Sequence, residues 1–303
     1  MHTKNRLTNL RLLAFSKPLL AFGGFILTAL PASRAATIVQ TNSQNASTDS
    51  WNAAAPWGGA APVSGNDYVS NPTAAGAFTA TATGLGVSVT SRVRNTGATV
   101  FGGNTLTIVA GTELLLRSTG GPTNTANLIL DDGTVRVVGG TTLAGSIVVS
   151  DTGIVGLGGT NTLALTSALL GAGTLELRAS DGSPTIRLSG DLSGFTGTLQ
   201  IGGGDLGHVV VDFDQDYNLL AGLVMGTFST QDVLNLDQAI TVNSFEFGST
   251  FLAPATYSAS DLNTAFGSGA QFTGSGTLTV IPEPSSALLG ILGSFFFFRR
   301  RRA

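Results

Sequence analysis

Short runs of alternating or continuous aliphatic residues, separated by glycine-rich turns, fill the chain from about residue 97 to 213. Leucine and β-branched residues dominate each run, which is typical of strands, and successive runs follow at roughly 8 to 14 residues. The pattern therefore predicts a region built of short strands. The predicted strands are 105–109, 113–117, 127–130, 134–138, 146–149, 154–157, 162–165, 174–178, 185–188, 198–201 and 208–213.

A Gly-Thr pair precedes several of these strands in the same way, at Gly111-Thr112, Gly133-Thr134 and Gly173-Thr174. Repetition of one strand and one turn is the mark of a solenoid, in which each repeat packs only on its neighbours. We therefore predict an all-β fold with a parallel β-helix, or β-solenoid, over residues 97–219. An antiparallel β-sandwich or jelly roll uses strands at the same spacing and stays open as the alternative.

Residues 36–96 differ from the repeats, because Trp51 and Trp57 stand among alanine, glycine and serine. A solenoid needs a cap over its first turn, and aromatic side chains can plug that end. We expect this segment to be an N-terminal cap. The alternative is an exposed platform on which the two tryptophans stack against sugar rings.

Residues 220–281 are expected to form a C-terminal β cap, with strands predicted at 233–236, 240–247 and 277–281. Ser258, followed three residues later by Asp261, predicts a short helix through Phe266. A hydroxyl cap and an acid in the first turn satisfy the free amides of a helix start.

The stretch from Leu188 to Leu199 reads Leu-Ser-Gly-Asp-Leu-Ser-Gly-Phe-Thr-Gly-Thr-Leu. It resembles the autotransporter-associated β-strand repeat, in which a turn of this kind joins two rungs. Trp51 and Trp57, followed by Pro62 and Gly65-Asn66-Asp67, resemble the opening segment of such repeat proteins. Both resemblances are local, and both imply a solenoid.

The charge balance excludes one class of function. Residues 36–281 contain six arginines, no lysine and 17 acidic residues, a net charge of −11. Such a body repels a phosphate backbone, so nucleic-acid binding is excluded. The chain has no cysteine. Its core and its repetition must therefore hold it together without disulfides.

The N-terminal end of the chain has the layout of a targeting segment. Basic residues come first, an apolar stretch follows from 19 to 30, and small residues continue to Ala36. This order predicts a secretory signal peptide over residues 1–35, with cleavage after Ala35. An uncleaved N-terminal anchor is the alternative.

The C-terminal end, residues 282–303, has three parts: Pro282-Glu283-Pro284, an apolar run over 285–298, and the cluster Arg299, Arg300, Arg301 and Arg302. As a helix the apolar run would be about 21 Å long, shorter than the hydrocarbon core of about 30 Å. We expect it to form a short transmembrane helix whose arginines stay on the cytoplasmic side, so that the body lies outside.

This tripeptide, apolar run and arginine cluster resemble the PEP-CTERM sorting signal of exported bacterial proteins. The resemblance implies that an exosortase, a transmembrane protease-transpeptidase, recognises the tripeptide and processes the tail. It also implies transient anchoring in the inner membrane, delivery to the cell envelope, outer surface or extracellular space, and exopolysaccharide as a partner. A plain, permanent anchor is the alternative.

Asp212, Asp214 and Asp216 form the sharpest polar cluster of the body. Alternate residues of a strand face the same side, so these three carboxylates are candidate ligands for calcium, which takes oxygen ligands. The segment is not an EF-hand, because Tyr217 and Leu223 hold the positions that require glycine and glutamate. The alternative is a solvated acidic edge that discourages strand pairing.

Other candidates for chemistry are sparse. His208 is the only histidine of the body, so a zinc site is excluded, and we expect this residue at a strand end. Asp131-Asp132 could supply the two carboxyls of a glycosidase, but Gly133 predicts a polar turn instead. Gly202-Gly203-Gly204-Asp205 resembles a calcium-binding nonapeptide repeat and occurs once.

We therefore expect a non-enzymatic protein, with no catalytic and no cofactor-binding residues. It would be an exported structural or adhesive protein of a bacterial cell surface or extracellular matrix, associated with exopolysaccharide or envelope. The alternative is a carbohydrate-binding or polysaccharide-degrading β-helix protein. Six arginines scattered along the body, with no lysine, offer few basic partners for a catalytic acid pair.

Overall fold

The computed structural model describes residues 35–281, with gaps at 80, 83, 98, 119, 203–206 and 227–230. The predicted signal peptide, apart from its last residue, and the predicted sorting tail lie outside the described residues. Along the described chain the strands are β1 (Thr37–Val39), β2 (Asp67–Val69), β3 (Thr81–Ala82), β4 (Ser88–Val89), β5 (Ser91–Thr96), β6 (Thr105–Val109), β7 (Thr112–Arg117), β8 (Thr123–Asp131), β9 (Thr134–Val138), β10 (Thr141–Val149), β11 (Thr152–Leu157), β12 (Thr162–Leu165), β13 (Ala168–Gly171), β14 (Thr174–Ala179), β15 (Thr185–Leu188), β16 (Gly194–Phe195), β17 (Thr198–Ile201), β18 (Val210–Phe213), β19 (Tyr217–Asn218), β20 (Gly222–Met225), β21 (Val233–Asn235), β22 (Ala239–Val242), β23 (Ser244–Phe247), β24 (Thr250–Phe251), β25 (Ala255–Ser258), β26 (Phe272–Thr273) and β27 (Thr277–Val280). One 3-10 turn covers Ala55–Trp57, and one α-helix, α1, covers Ala259–Phe266.

These strands form a parallel β-solenoid of about seven turns. The first sheet runs β1-β2-β6-β8-β10-β12-β15-β18-β21-β26, with β13 and β16 beside β10, and all its pairings are parallel. The second sheet runs β5-β7-β9-β11-β14-β17-β20-β23 in parallel and ends on antiparallel β24. A third, smaller sheet is β19-β22-β27-β25. The prediction of a parallel β-helix is confirmed over the antiparallel sandwich.

Each turn of the solenoid stacks its inward side chains on those of the turn before. Leu175 pairs with Leu199, and Leu199 with Leu223, so one turn here uses 24 residues. All three side chains are buried. Because alternate residues of a strand face the same side, this register lines the interior with aliphatic groups.

The parallel pairing continues on both sides of the predicted solenoid range 97–219. On the N-terminal side β1 pairs with β2, and β2 with β6. On the C-terminal side β17 pairs with β20 and β20 with β23. Both segments that were expected to be caps therefore contribute strands to the two long sheets.

The strand boundaries follow the apolar pattern closely where it alternates, and 105–109, 134–138, 162–165, 185–188 and 198–201 match β6, β9, β12, β15 and β17. The predicted strand 240–247 is two strands, β22 and β23, which belong to different sheets. The chain turns a corner at Asn243, whose side-chain amide donates to the Leu220 carbonyl at 2.8 Å. The sequence shows no glycine or proline there, so the corner was missed.

The predicted helix is confirmed as α1. Ser258 caps it, its hydroxyl accepting from the Asp261 amide at 3.2 Å while the Asp261 carboxylate accepts from the Ser258 amide at 2.9 Å. Two amides at the helix start are thereby satisfied.

Trp51 and Trp57 are buried, at 0% and 3% exposure. Their rings pack in an aromatic cluster with Tyr68 and Phe101, where the Trp57 and Tyr68 centroids lie 5.0 Å apart. The indole of Trp57 donates to the Trp51 carbonyl at 2.7 Å. The alternative of an exposed sugar-stacking platform is wrong, because these rings have no free face.

The chain between β2 and β5 lies over the outer face of the second sheet. Leu85 is fully buried there, and a Cβ on Gly156 of β11 would lie 2.3 Å from its side chain. The guanidinium of Arg178 donates to the Leu85 carbonyl, and the Phe78 ring lies 5.1 Å from the guanidinium carbon of Arg92. Outward residues of β5, β11 and β14 in this sheet are therefore covered.

Two glycines of the Leu188–Leu199 motif lie where the backbones of neighbouring turns approach each other closely. A Cβ on Gly190 would lie 1.9 Å from the Ser167 carbonyl oxygen, and one on Gly197 would lie 1.8 Å from that of Gly173. The rungs can stack at this corner because these positions have no side chain.

We predict that Gly197→Ala lowers the free energy of unfolding by about 2 kcal/mol or more, because the added methyl group forces the stacked backbones apart. The matched control is Gly140→Ala, where the nearest atom to a new Cβ is the Thr162 carbonyl oxygen at 3.5 Å. Chemical denaturation of both variants is the measurement. Equal midpoints for the two would contradict the stacking argument.

Candidate functional site

The residues predicted to carry the sorting signal, Pro282, Glu283, Pro284 and Arg299 to Arg302, lie outside the described residues. Within the described part of the chain, no helix has both the length and the apolar character needed to cross a membrane.

The carboxylates of Asp212 and Asp214 share Arg187 as a partner, whereas that of Asp216 makes a different contact. Arg187 of β15 lies 3.3 Å from Asp212 and 2.5 Å from Asp214, measured between guanidinium nitrogen and carboxylate oxygen. Asp216 accepts from the Ala239 amide at 2.9 Å. Across the residues that the structure describes, no group of three or more acidic, histidine or cysteine side chains could hold a metal ion. These aspartates instead connect successive turns.

The pair Asp131-Asp132 ends β8 in a turn. Both residues are exposed, and Asp132 has a positive φ of 57°. A Cβ on the next residue, Gly133, would lie 2.1 Å from the Ile108 carbonyl oxygen. This geometry is the polar turn that Gly133 predicted. Of Gly202 to Asp205, only Gly202 is described.

His208 lies just before β18, and its amide donates to the Gly182 carbonyl at 2.9 Å. Sequence reasoning missed its buried neighbour, Asp232, which is 1% exposed. One oxygen of Asp232 accepts from the Val209 amide at 2.9 Å, while the other has no hydrogen-bond partner among the described residues. Burial raises the pKa of Asp232, opposed by the Val209 hydrogen bond and by His208. A lone aspartate before a strand resembles a turn residue, so no sequence signal marked it.

The arginines are not scattered in the fold, contrary to the interpretation from sequence. Four of the six lie together on the outer face of β5, β7 and β9; they are Arg92, Arg94, Arg117 and Arg136. The strand register produces this grouping, because Arg92 pairs with Glu113, Thr96 with Arg117, and Leu115 with Arg136. The two residues of each pair lie 21 positions apart, which is the length of one turn in this part of the solenoid. This spacing is the sequence signal that could have revealed the cluster.

Glu113 is the centre of this cluster and has no exposed side-chain surface. It forms an ion pair with Arg92, and it accepts from Arg136 Nε at 2.8 Å and from Arg136 Nη2 at 3.1 Å. Three consecutive strands are thereby joined by one buried carboxylate and two guanidinium groups. Such pairs are strong only while every member is present.

Comparison with known protein families, with curated proteins and with solved structures found no match.

We predict that Glu113→Gln lowers the free energy of unfolding by about 3 kcal/mol, because it leaves two partly buried arginines without their counter-charge. Glu246→Gln on β23 is the matched control, since Glu246 is only half-buried. Denaturant titration at neutral pH compares the two variants. A smaller loss for Glu113→Gln than for Glu246→Gln would contradict this role.

We predict that Asp232→Asn stabilises the protein at neutral pH. Because burial raises the pKa of Asp232 above its ordinary value of 3.8, the folded protein keeps this carboxyl protonated at pH values where the unfolded chain has already lost the proton. Below that value the carboxyl is protonated in both states, and as pH rises through the folded pKa the wild type loses stability relative to the variant.

The measurement is the difference in melting temperature between Asp232→Asn and wild type, from about pH 4 to about pH 7. We expect the difference to grow in favour of the variant over this range. Asp131→Asn, at an exposed turn, should show no such trend. A flat difference for Asp232→Asn would disprove the buried-charge explanation.

Proposed function

We propose that this chain is an exported, tail-sorted structural or adhesive protein of a bacterial cell surface or extracellular matrix, associated with envelope or exopolysaccharide. The observation that carries the proposal is a set of outward polar columns that run along the solenoid from one turn to the next. These columns give the outer surface of the stiff, hydrogen-bonded solenoid a regular pattern of polar groups along its length.

One column lies on the outer face of the first sheet, at β15, β18, β21 and β26. Arg187 forms an ion pair with Asp212, whose carboxylate accepts from the side-chain amide nitrogen of Asn235 at 3.2 Å. The side-chain oxygen of Asn235 in turn accepts from the Thr273 hydroxyl at 3.2 Å. Each of these contacts joins two residues that are directly paired in neighbouring strands. The side chains hold one another in place rather than converge on one point.

A second column lies nearer the N-terminal end of the same sheet. The Asp67 carboxylate accepts from the Thr105 hydroxyl at 2.7 Å and from the side-chain amide of Asn104 at 2.8 Å. Further along, the Ser146 hydroxyl donates to the Asn127 side-chain carbonyl at 3.1 Å.

Both columns repeat polar groups at the strand spacing of about 4.8 Å. That pattern suits many individually small contacts with an extended partner, such as a polysaccharide chain or another surface protein. A scaffold needs stiffness and a repeated surface, and the parallel ladder provides both.

The sorting part of the proposal rests on the residues of the two ends. An exosortase-type protease would act at Pro282-Glu283-Pro284 after the apolar run has engaged the membrane. The body would then be released to the envelope or to the medium.

We expect cells that carry the matching sorting enzyme to yield a protein outside the membrane that starts near Ala36 and ends near Pro282. Intact-mass measurement on separate membrane, envelope and medium fractions tests this. Glu283→Ala should leave the unprocessed form in the membrane, whereas Ser285→Ala is the matched control and should be processed.

A wild-type protein that keeps Arg299 to Arg302 in the membrane fraction would overturn the sorting proposal. Incubation of the protein with a panel of polysaccharides addresses the structural role separately. New reducing ends or unsaturated sugars would overturn the structural role and favour the degrading enzyme.

A further inference from the structure

The arginine cluster of β5, β7 and β9 carries more positive charge than its acidic neighbours neutralise. Arg92, Arg94, Arg117 and Arg136 influence one another, and Glu113 and Asp49 are the acids that act on them. This local excess of two positive charges stands in a body whose net charge is −11. The fold has therefore concentrated its cations at one place near the N-terminal end.

Arg94 is the least satisfied member of the cluster. It is only 4% exposed. Its Nη1 donates to the Asn45 carbonyl at 3.2 Å, but its Nε and Nη2 have no hydrogen-bond partner among the described residues. Burial, followed by Arg117 and Arg92, lowers the pKa of Arg94, and Asp49 opposes the shift. A buried cation beside like charges is costly unless an anion compensates it.

A groove of about 340 Å³ lies beside Arg117, another arginine of the cluster. Ser47, Thr96, Gly97, Arg117 and Ser118 line it. Thr96 is two residues beyond Arg94 on the same face of β5, and it pairs with Arg117 of β7. Arg117 is exposed, so its guanidinium is available to a ligand in the groove.

Among the hydroxyl groups of the groove, those of Thr96 and Ser118 already donate to backbone carbonyls, so the exposed Ser47 hydroxyl is the one that can join the Arg117 guanidinium as a donor to a ligand. Ser47 and Thr96 are exposed, and the two segments that carry them are held together, since the Thr96 hydroxyl donates to the Ser47 carbonyl at 3.0 Å. Ser118 is buried, and its hydroxyl donates to the Gly140 carbonyl at 3.2 Å. Guanidinium and hydroxyl donors together are the groups that recognise carboxylate, sulfate or phosphate oxygens.

We propose that this groove is an oxyanion-binding site, in which Arg117 pairs with the anionic group and Arg94, two residues before Thr96 on the same strand, adds a buried positive charge nearby. The volume lies at the lower end of the range for small-molecule sites. It suits an oxyanion on a sugar-sized ligand, such as a uronate or a sulfated sugar. The site does not rest on the proposed function, because it requires neither export nor processing.

The test is calorimetric titration of the full-length protein, at low ionic strength, with glucuronate, inorganic sulfate and a uronate oligosaccharide, and with glucose as the neutral control. We expect the three anions to bind and glucose not to bind. Added salt should weaken binding, because the contact is between charges.

Arg117→Gln should weaken anion binding at least tenfold with no change in fold, since Arg117 is an exposed side chain. Arg187→Gln is the matched control, an exposed arginine on the acidic column, and should bind as wild type does. Arg94→Lys keeps the buried charge and should retain binding. Circular dichroism checks that each variant is folded.

Equal affinity for the single sugar and the oligosaccharide would identify a small oxyanion as the ligand. At least tenfold tighter binding of the oligosaccharide would identify an acidic glycan, and both outcomes support the site. The proposal is overturned if wild type binds none of the anions, if glucose binds as well, or if Arg117→Gln binds like wild type.

Discussion

The parallel backbone ladder is the constraint on which the rest of this structure depends. Every turn of the solenoid hydrogen-bonds to the turns before and after it, so side chains at equivalent positions stack directly on one another. The interior column of Leu175, Leu199 and Leu223 is one result. The backbone corner where Gly197 meets Gly173 is another. Because neighbouring turns lie at the strand spacing of about 4.8 Å, a side chain on Gly197 would have no space to occupy.

The same stacking decides where charge lies. Inward strand positions hold apolar side chains or neutral polar ones that bond to each other, such as Asn95 and Asn124, so ionisable residues occupy outward positions and contact partners one turn away. On the first sheet this gives the exposed column that begins with Arg187 and Asp212. On the second sheet the N-terminal segment covers the outer face, and the comparable contacts of Glu113 with Arg92 and Arg136 become buried. One ladder thus produces a solvated polar surface in one place and, in another, an ionic network around a fully buried carboxylate.

The apolar pattern was a good guide wherever one face of a strand is interior and the other meets water. It failed at β5, Ser91–Thr96, because covering the outer face allows polar residues on a strand that is buried on both sides. The pattern also failed at the corner between β22 and β23, where a side-chain amide, rather than a glycine or proline, satisfies the turning backbone. Among the candidate site residues, Asp131-Asp132 was correctly recognised as a turn, while the buried Asp232 and the arginine cluster were not foreseen.

The sequence alone determined the all-β class and the helix that Ser258 caps, and it favoured the solenoid over the sandwich. It did so because these features depend on periodicity and on contacts between residues close in the chain. Only the tertiary structure decided that Trp51 and Trp57 are buried, that Arg94, Arg117 and Arg136 are neighbours, and that Glu113 lies away from water. Those facts depend on register between turns and on which segment covers which face. The contacts in question join residues that are 21 to 50 positions apart in the chain, and neither composition nor the local pattern of residues specifies which of them come into contact.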